Sequence, residues 1–309
     1  MSDLDTSHAQ RDAISGVADL GRATRYSDAV NRYLGAVGYL PDERPRPVLA
    51  VDPTPAGAVA KAGVVLVGVD DTPTSYTAVD HAAIEAEMRG WDLRILHVQR
   101  PGGIRQPSRD AGARLLERLT DRVHAYLPSV AVTCRLAVGS PSPLLAAEAR
   151  AADLVVVGHR HSAVGTEFGL SVGDRVAANH PGTVLVVRVP GWPPGPEFGN
   201  RPIVVGVDHA QSPAVAFALA EARLRGCDLV MLHAGKNVAR ADRFDAVDGV
   251  RVHHREVAGD PASALIDASN NAAAVVVGRS GLLGLPVKSS GWIGRSMVQH
   301  AYCPVFLVG

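Results

Sequence analysis

The 309 residues carry 31 basic and 31 acidic side chains, and 47% of them are hydrophobic. Balanced charge, with neither a polybasic block nor an acidic tail, argues against nucleic acid or an anionic membrane as the main partner, and the length suits roughly two domains. The opening MSDLDTSHAQRDAIS has no basic region followed by an apolar run, and no stretch of 18 apolar residues occurs, so neither export nor a membrane span is expected and the expected location is the cytoplasm.

Residues 1–60 form an extension. Within it Asp12 to Leu40 reads as helical, because Ile14, Val17, Ala18, Val30, Leu34 and Val37 recur at roughly helical spacing, although Gly16, Gly21 and Gly35 weaken the helix. The prolines of PDERPRPVLAVDPTPAGAVAKAG stop it, leaving a docking arm or a partly ordered extension.

From Val64 the chain alternates strands and helices: Val64–Val69, Leu93–Val98, Val130–Val138, Leu154–Val157 and Val184–Val189 as strands, with helices at Thr77–Arg89, Arg109–Tyr126, Pro143–Ala151 and Gly173–Asn179. Strands joined by helical stretches make a parallel sheet, and continuous runs such as LVVV and VLVV mark strands covered on both faces. The reading is a doubly wound α/β domain over 61–190. After a Pro/Gly-rich linker at 191–201 the same sentence is written again in 202–309: VVLVGVDDTP returns as IVVGVDHAQSP, and AADLVVVG as AAAVVVG. Ser212-Pro213 supplies a helix cap followed by a first-turn proline. One difference is large: 88 residues separate Asp70 from Gly158, but only 70 separate Asp208 from Gly278. The segment GKNVARADRFDAVDGV therefore reads as a lost covering helix, with the neighbouring domain or the extension left to cover that face.

Ligands of open parallel sheets bind beyond the carboxyl ends of the strands, where connections diverge to opposite faces. Two places have suitable chemistry: the carboxylates closing the opening strands, Asp70 and Asp208, and the stretches GHRHSAVGTEFGLSVGD from Gly158 and GRSGLLGLPVKSSGWIG from Gly278. In the second copy Gly278, Gly281 and Gly291 surround a loop that carries Lys288, Ser289 and Ser290 and runs into a helix from about Trp292 to His300. Glycines permit close backbone approach, and free N–H groups at a helix start favour an anion. Lys288 offers a point charge and Ser289 or Ser290 a hydroxyl, with helix capping the competing role for the serines. His159, Arg160 and His161 have no accompanying ligand at metal spacing, His253 and His254 fall on opposite faces of a strand, and His97 and His233 occupy equivalent strand ends. No G-x-S-x-G elbow or G-x-x-x-x-G-K-[ST] loop occurs, so no catalytic residue and no metal site are assigned. Cys134, Cys227 and Cys303 show no C-x-x-C spacing and read as reduced structural thiols.

The glycine spacing resembles that of the universal stress protein family in its tandem two-domain form, whose ATP-binding members carry Gly, two residues, Gly, nine residues, Gly, then Ser or Thr. Gly278, Gly281 and Gly291 reproduce the glycines, while Trp292 stands at the hydroxyl position. In the first copy Gly158 matches, His161 replaces the second glycine, Leu170 the third, and Ser171 follows. The resemblance covers about residues 62–309. It implies strand order 3-2-1-4-5, with Asp208 and Gly278 on adjacent strands, Asp208 near adenosine and the glycine loop around ribose and phosphates. It also implies pairing through the last strands, so that Val184–Val189 and Val305–Val308 form an internal pseudo-dimer.

The expected function is a stress-response protein that binds adenine nucleotide, ATP first, mainly through Asp208, Gly278, Gly281, Lys288, Ser290 and Gly291, with a weaker first site at Asp70, Gly158 and Ser171. The alternative is a nucleotide-independent scaffold for a client protein, and third a slow ATPase. Further homo-oligomerisation is compatible with either of the first two.

Overall fold

The computed structural model describes residues 25–36, 63–100, 109–159, 175–176, 180–188, 200–207, 212–236, 241–278 and 290–309. Helix α1 (Arg25–Ala36) is followed by β1 (Val64–Val69), α2 (Pro73–Arg89), β2 (Asp92–Gln99), α3 (Arg109–Tyr126), β3 (Val132–Val138), α4 (Pro141–Ala149), β4 (Leu154–Gly158) and β5 (Thr183–Val187). The second series comprises β6 (Ile203–Gly206), α5 (Pro213–Arg225), β7 (Leu229–Gly235), β8 (Ala241–Val247), β9 (Val250–Ala258), α6 (Pro261–Ser269), β10 (Ala274–Gly278), α7 (Ser290–His300) and β11 (Val305–Val308).

All eleven described strands join one sheet, ordered β3-β2-β1-β4-β5-β11-β10-β6-β7-β9-β8. Each half repeats the order 3-2-1-4-5 in parallel, and the halves meet where β5 and β11 pair antiparallel, Val305 with Val186, Phe306 with Leu185 and Leu307 with Val184. This register puts a local two-fold through the Leu185–Phe306 pair, since Leu185 and Phe306 hold equivalent places in VLVV and VFLV. The expected pairing of the last strands is thus present, and it removes two apolar edges from solvent. Successive strand residues feed opposite layers: Val65 and Val67 enter a core under α1, α2, α3 and α5, whereas Leu66 enters a second core under α4, α6 and α7.

Local signals set the helix ends. Ser212 accepts the Val215 N–H (3.3 Å), with Pro213 following, as the sequence predicts. Asp260 caps α6 by accepting the Ser263 N–H at 2.9 Å. Gly90 (φ 65°) and Gly226 (φ 69°) take the left-handed conformation that closes α2 and α5.

One expectation needs correction. The segment read as the remnant of a helix contains strand β8, antiparallel to β9 through a two-residue turn, Asp248 (φ 52°) and Gly249 (φ 83°), with Val247 opposite Val250. Both central residues have positive φ, as the hairpin turn of right-handed twist demands. In the extension, the described helix Arg25–Ala36 falls within the expected span Asp12–Leu40, and residues 12–24 and 37–40 lie outside the described residues. Its buried stripe is Tyr26, Ala29, Val30 and Tyr33, one face at helical spacing.

Helix α1 packs on α2 and α3 of the first half and on α5 of the second. Arg32 clasps Glu87 through one nitrogen at 2.8 and 2.9 Å, and the Tyr33 hydroxyl accepts from Arg122 at 3.3 Å, while Arg122 also holds the fully buried Asp80 at 2.8 and 2.9 Å. Under α1, the sequences EAEMRG and EARLRG place four buried charges about the pseudo-two-fold. Glu85 pairs with Arg89 and with Arg225 (2.5 Å); Glu221 pairs with Arg89 and with Arg225 (2.6 Å). Burial raises the Glu85 carboxyl, whereas at Glu221 the opposing pull of Arg225 and Arg89 outweighs burial and holds the carboxyl below its ordinary value. Because each carboxylate bridges both guanidinium groups, the quartet is charge-balanced when all four are ionised. Tyr26 lies over Arg225, its ring centroid 4.1 Å from Cζ.

Candidate functional site

The site lies where the two halves of each unit's sheet diverge. After β6 the chain turns into α5, whose Ala214, Ala218 and Ala222 fill the first core; the helix beyond β10, α7, places Met297 and Val298 in the second. Strands β6 and β10 are neighbours, Val205 opposite Val276, and their carboxyl ends mark the switch point where open parallel sheets hold a ligand crevice. The same divergence separates β1 and β4, with Gly68 opposite Val157.

In the first half Asp70 follows β1 directly. Its carboxylate accepts from the Ser75 hydroxyl at 2.7 Å and from the Thr72 hydroxyl, and its N–H donates to Ser75 Oγ at 2.9 Å. The carboxylate predicted to meet a ligand is thus engaged in fastening the start of α2. Gly158, at the end of β4, is crowded as well: a Cβ there would come within 2.6 Å of Thr74 Cγ2 and 3.2 Å of the Thr74 carbonyl oxygen. The glycine is needed for the helix to pass.

The second half differs at both points. Helix α5 has 13 residues against 17 in α2 and begins about one turn later relative to its closing glycine. Among the described residues a Cβ on Gly278 would meet only Ala214 Cβ, at 3.8 Å. Ser212 serves its own helix rather than a neighbouring carboxylate. Ser290 and Gly291 open α7, which starts two residues before the helix start expected at about Trp292. Asp208, Gly281 and Lys288, together with Ser171 of the first half, lie outside the described residues.

Equivalent histidines stand at the two switch points, on the matching strand ends that the sequence placed beside the cleft. His97 Nδ1 lies 2.9 Å from the Val69 carbonyl oxygen, and His233 Nδ1 2.9 Å from that of Val207. A carbonyl oxygen only accepts, so Nδ1 of each imidazole is the donor in this bond. Each bond holds the backbone immediately before Asp70 or Asp208.

Other chemistry is placed elsewhere. His253 Nε2 sits 3.0 Å from Asp228 Oδ2 on an outer strand. Among the described residues no group of three or more His, Cys, Asp or Glu is arranged to hold a metal. Burial pushes the Cys227 thiol up to about 11 and that of Cys303 to about 12, which leaves both without nucleophilic thiolate at neutral pH. A cavity of about 460 Å³ lies beside α6, over Val230, Leu232 and Val257. The first half fills the equivalent space with Arg94 and Arg135 converging on Glu148, where the second has Val230 and Ala268. Asp260 and Asp267 on its wall oppose a phosphate ligand.

Two repeats of one doubly wound α/β unit, each with its own switch point, define the class of fold. A sequence model of the universal stress protein family matches residues 62–188. A universal stress protein of Mycobacterium tuberculosis H37Rv is 28% identical, over 79% of this chain and 94% of the relative; one of Mycolicibacterium smegmatis is 27% identical, over 79% and 96%. Among solved structures, a universal stress protein from Archaeoglobus fulgidus superposes with a TM-score of 0.60 at 14% identity, covering 80% of this chain and 96% of that one. Residues 62–188 thus resemble the universal stress protein family in sequence, and the likeness to the solved structure extends the same fold to both repeats. No helix among the described residues is long and apolar enough to cross a membrane.

Proposed function

We propose that the second repeat binds an adenine nucleotide, ATP foremost, at the crevice between β6 and β10, and that the protein works by binding rather than by rapid turnover. The observation that carries this reading is the contrast between the two strand-ending glycines: Gly158 is crowded by Thr74, whereas Gly278 meets, among the described residues, only Ala214. A backbone that a ligand can approach closely is what glycine provides at such a strand end. Support also comes from the Gly278, Gly281 and Gly291 spacing and from the start of α7 at Ser290, since a helix N-terminus suits a phosphate. In this reading Asp208 meets the adenosine, and Lys288 and Ser290 meet the phosphates.

The test is calorimetric titration with ATP, ADP and AMP. Micromolar affinity, about −8 kcal/mol, is expected, and at hundredfold excess the nucleotide should stabilise the fold by about 2.7 kcal/mol. Gly281→Val should weaken binding at least about tenfold, because a branched side chain then stands against the phosphates. Absence of binding heat with all three nucleotides, or unchanged affinity in Gly281→Val, would pass the assignment to the nucleotide-independent scaffold.

A further inference from the structure

With β5 and β11 paired to each other, the sheet ends on β3 at one side and β8 at the other. These are its free edges among the described strands, and they differ in kind. Every residue of β8 is exposed, Phe244 by 70%, and its sequence ADRFDAV contains no proline, glycine or lysine to discourage pairing. A two-fold antiparallel pairing of β8 with a copy of itself must be centred on a residue, because successive residues turn their N–H and C=O groups to opposite sides. Centring on Arg243 or on Asp245 sets identical charges face to face. Centring on Phe244 sets Arg243 opposite Asp245 of the other copy, twice, Asp242 opposite Ala246, and Phe244 against its own counterpart. On β3, VTCRLAV, the sole charge is Arg135, and no register gives it an acidic partner.

From this self-complementarity we infer that β8 is the homodimerisation strand of the protein, joining two chains through an antiparallel β8–β8 ladder centred on Phe244. The neighbouring groups permit it. Phe244 already rests edge-on against His253, with ring centroids 4.7 Å apart, and so is presented rather than folded away. Asp245 accepts the adjacent Ala246 N–H at 2.7 Å, a bond that a side-chain rotation exchanges for the incoming arginine. Asp242 leans toward Arg255, 3.8 Å away, and does not compete for Arg243. The interface lies at the far end of the second repeat and is independent of nucleotide.

Light scattering on the full chain, in a concentration series reaching roughly 100 μM, tests the assignment. The expected mass is twice the 32.3 kDa of one chain. Arg243→Asp should weaken dimerisation at least tenfold by facing acid with acid, as should Asp245→Arg by the opposite route. The double variant R243D/D245R should restore the dimer, because the swap regenerates both pairs; circular dichroism on all three checks that β8 still folds. A chain monomeric throughout the series overturns the proposal, as does a dimer indifferent to the single changes or not rescued by the double one. Open-ended growth overturns it too, since β8 pairing with β3 of the next copy would not close.

Discussion

Gly158 and Gly278 end equivalent strands, yet the same residue type answers to different demands. At Gly158 the pressure comes from inside the protein, since Thr74 occupies the place of a side chain through both its methyl and its carbonyl oxygen. At Gly278 nothing within the described fold forbids a methyl group. Gly158→Ala should therefore cost about 1–3 kcal/mol in chemical denaturation, the price of overpacking against backbone, whereas Gly278→Ala should lie within about 0.5 kcal/mol of wild type. If the second crevice holds nucleotide against the end of β10, Gly278→Ala should also lose affinity while keeping its stability. That combination separates a binding glycine from a packing glycine, and the reverse pattern at the two positions would remove the distinction between the crevices.

At the level of elements, the β8–β9 hairpin depends on two residues held at positive φ. Gly249 at φ 83° has no atom within 4 Å of where a Cβ would sit, so the obstacle to substitution is backbone conformation alone. Gly249→Ala should cost about 1–2 kcal/mol of hairpin stability, read most directly as faster amide exchange in β8 and β9 than in β6 and β10. The parallel strands were legible because burial on both faces demands unbroken branched runs such as LVVV and AVVV. The hairpin was misread because its shortened segment was compared with a helix in the first copy, although Asp248-Gly249 between alternating residues carried the turn signal. In the extension, counting aliphatic residues alone missed the stripe, since two of its four buried positions are tyrosines whose rings pack inward. The glycine spacing of the second crevice was legible, but the crowding of Gly158 was not. It depends on α2 starting a turn earlier than α5, a difference in helix length and not in motif.

Across the whole molecule, the two repeats are joined by a ladder and by a ring of ions, and α1 closes the assembly over both. The ladder supplies apolar burial: Phe306 is fully buried and Leu185 nearly so. The quartet contributes differently. Four charges withdrawn from water pay heavily in desolvation, and their mutual attraction recovers this only while the set is complete. Arg225→Met should therefore be costly, about 3–5 kcal/mol, since Glu85 and Glu221 are then left buried with Arg89 alone. Tyr26, stacked over Arg225, loses its cation in the same variant. Replacing all four charges by apolar residues of similar size should be far milder, near neutral or even stabilising, because no uncompensated ion remains. Urea denaturation of the single and quadruple variants decides the matter: a quadruple variant that unfolds as readily as Arg225→Met would mean that the ring contributes net stability. If instead the quadruple variant is stable, the ions' contribution is to orientation. Each glutamate reaches an arginine on the other repeat as well as one on its own helix, so a displacement of α2 along α5 breaks two pairs at once.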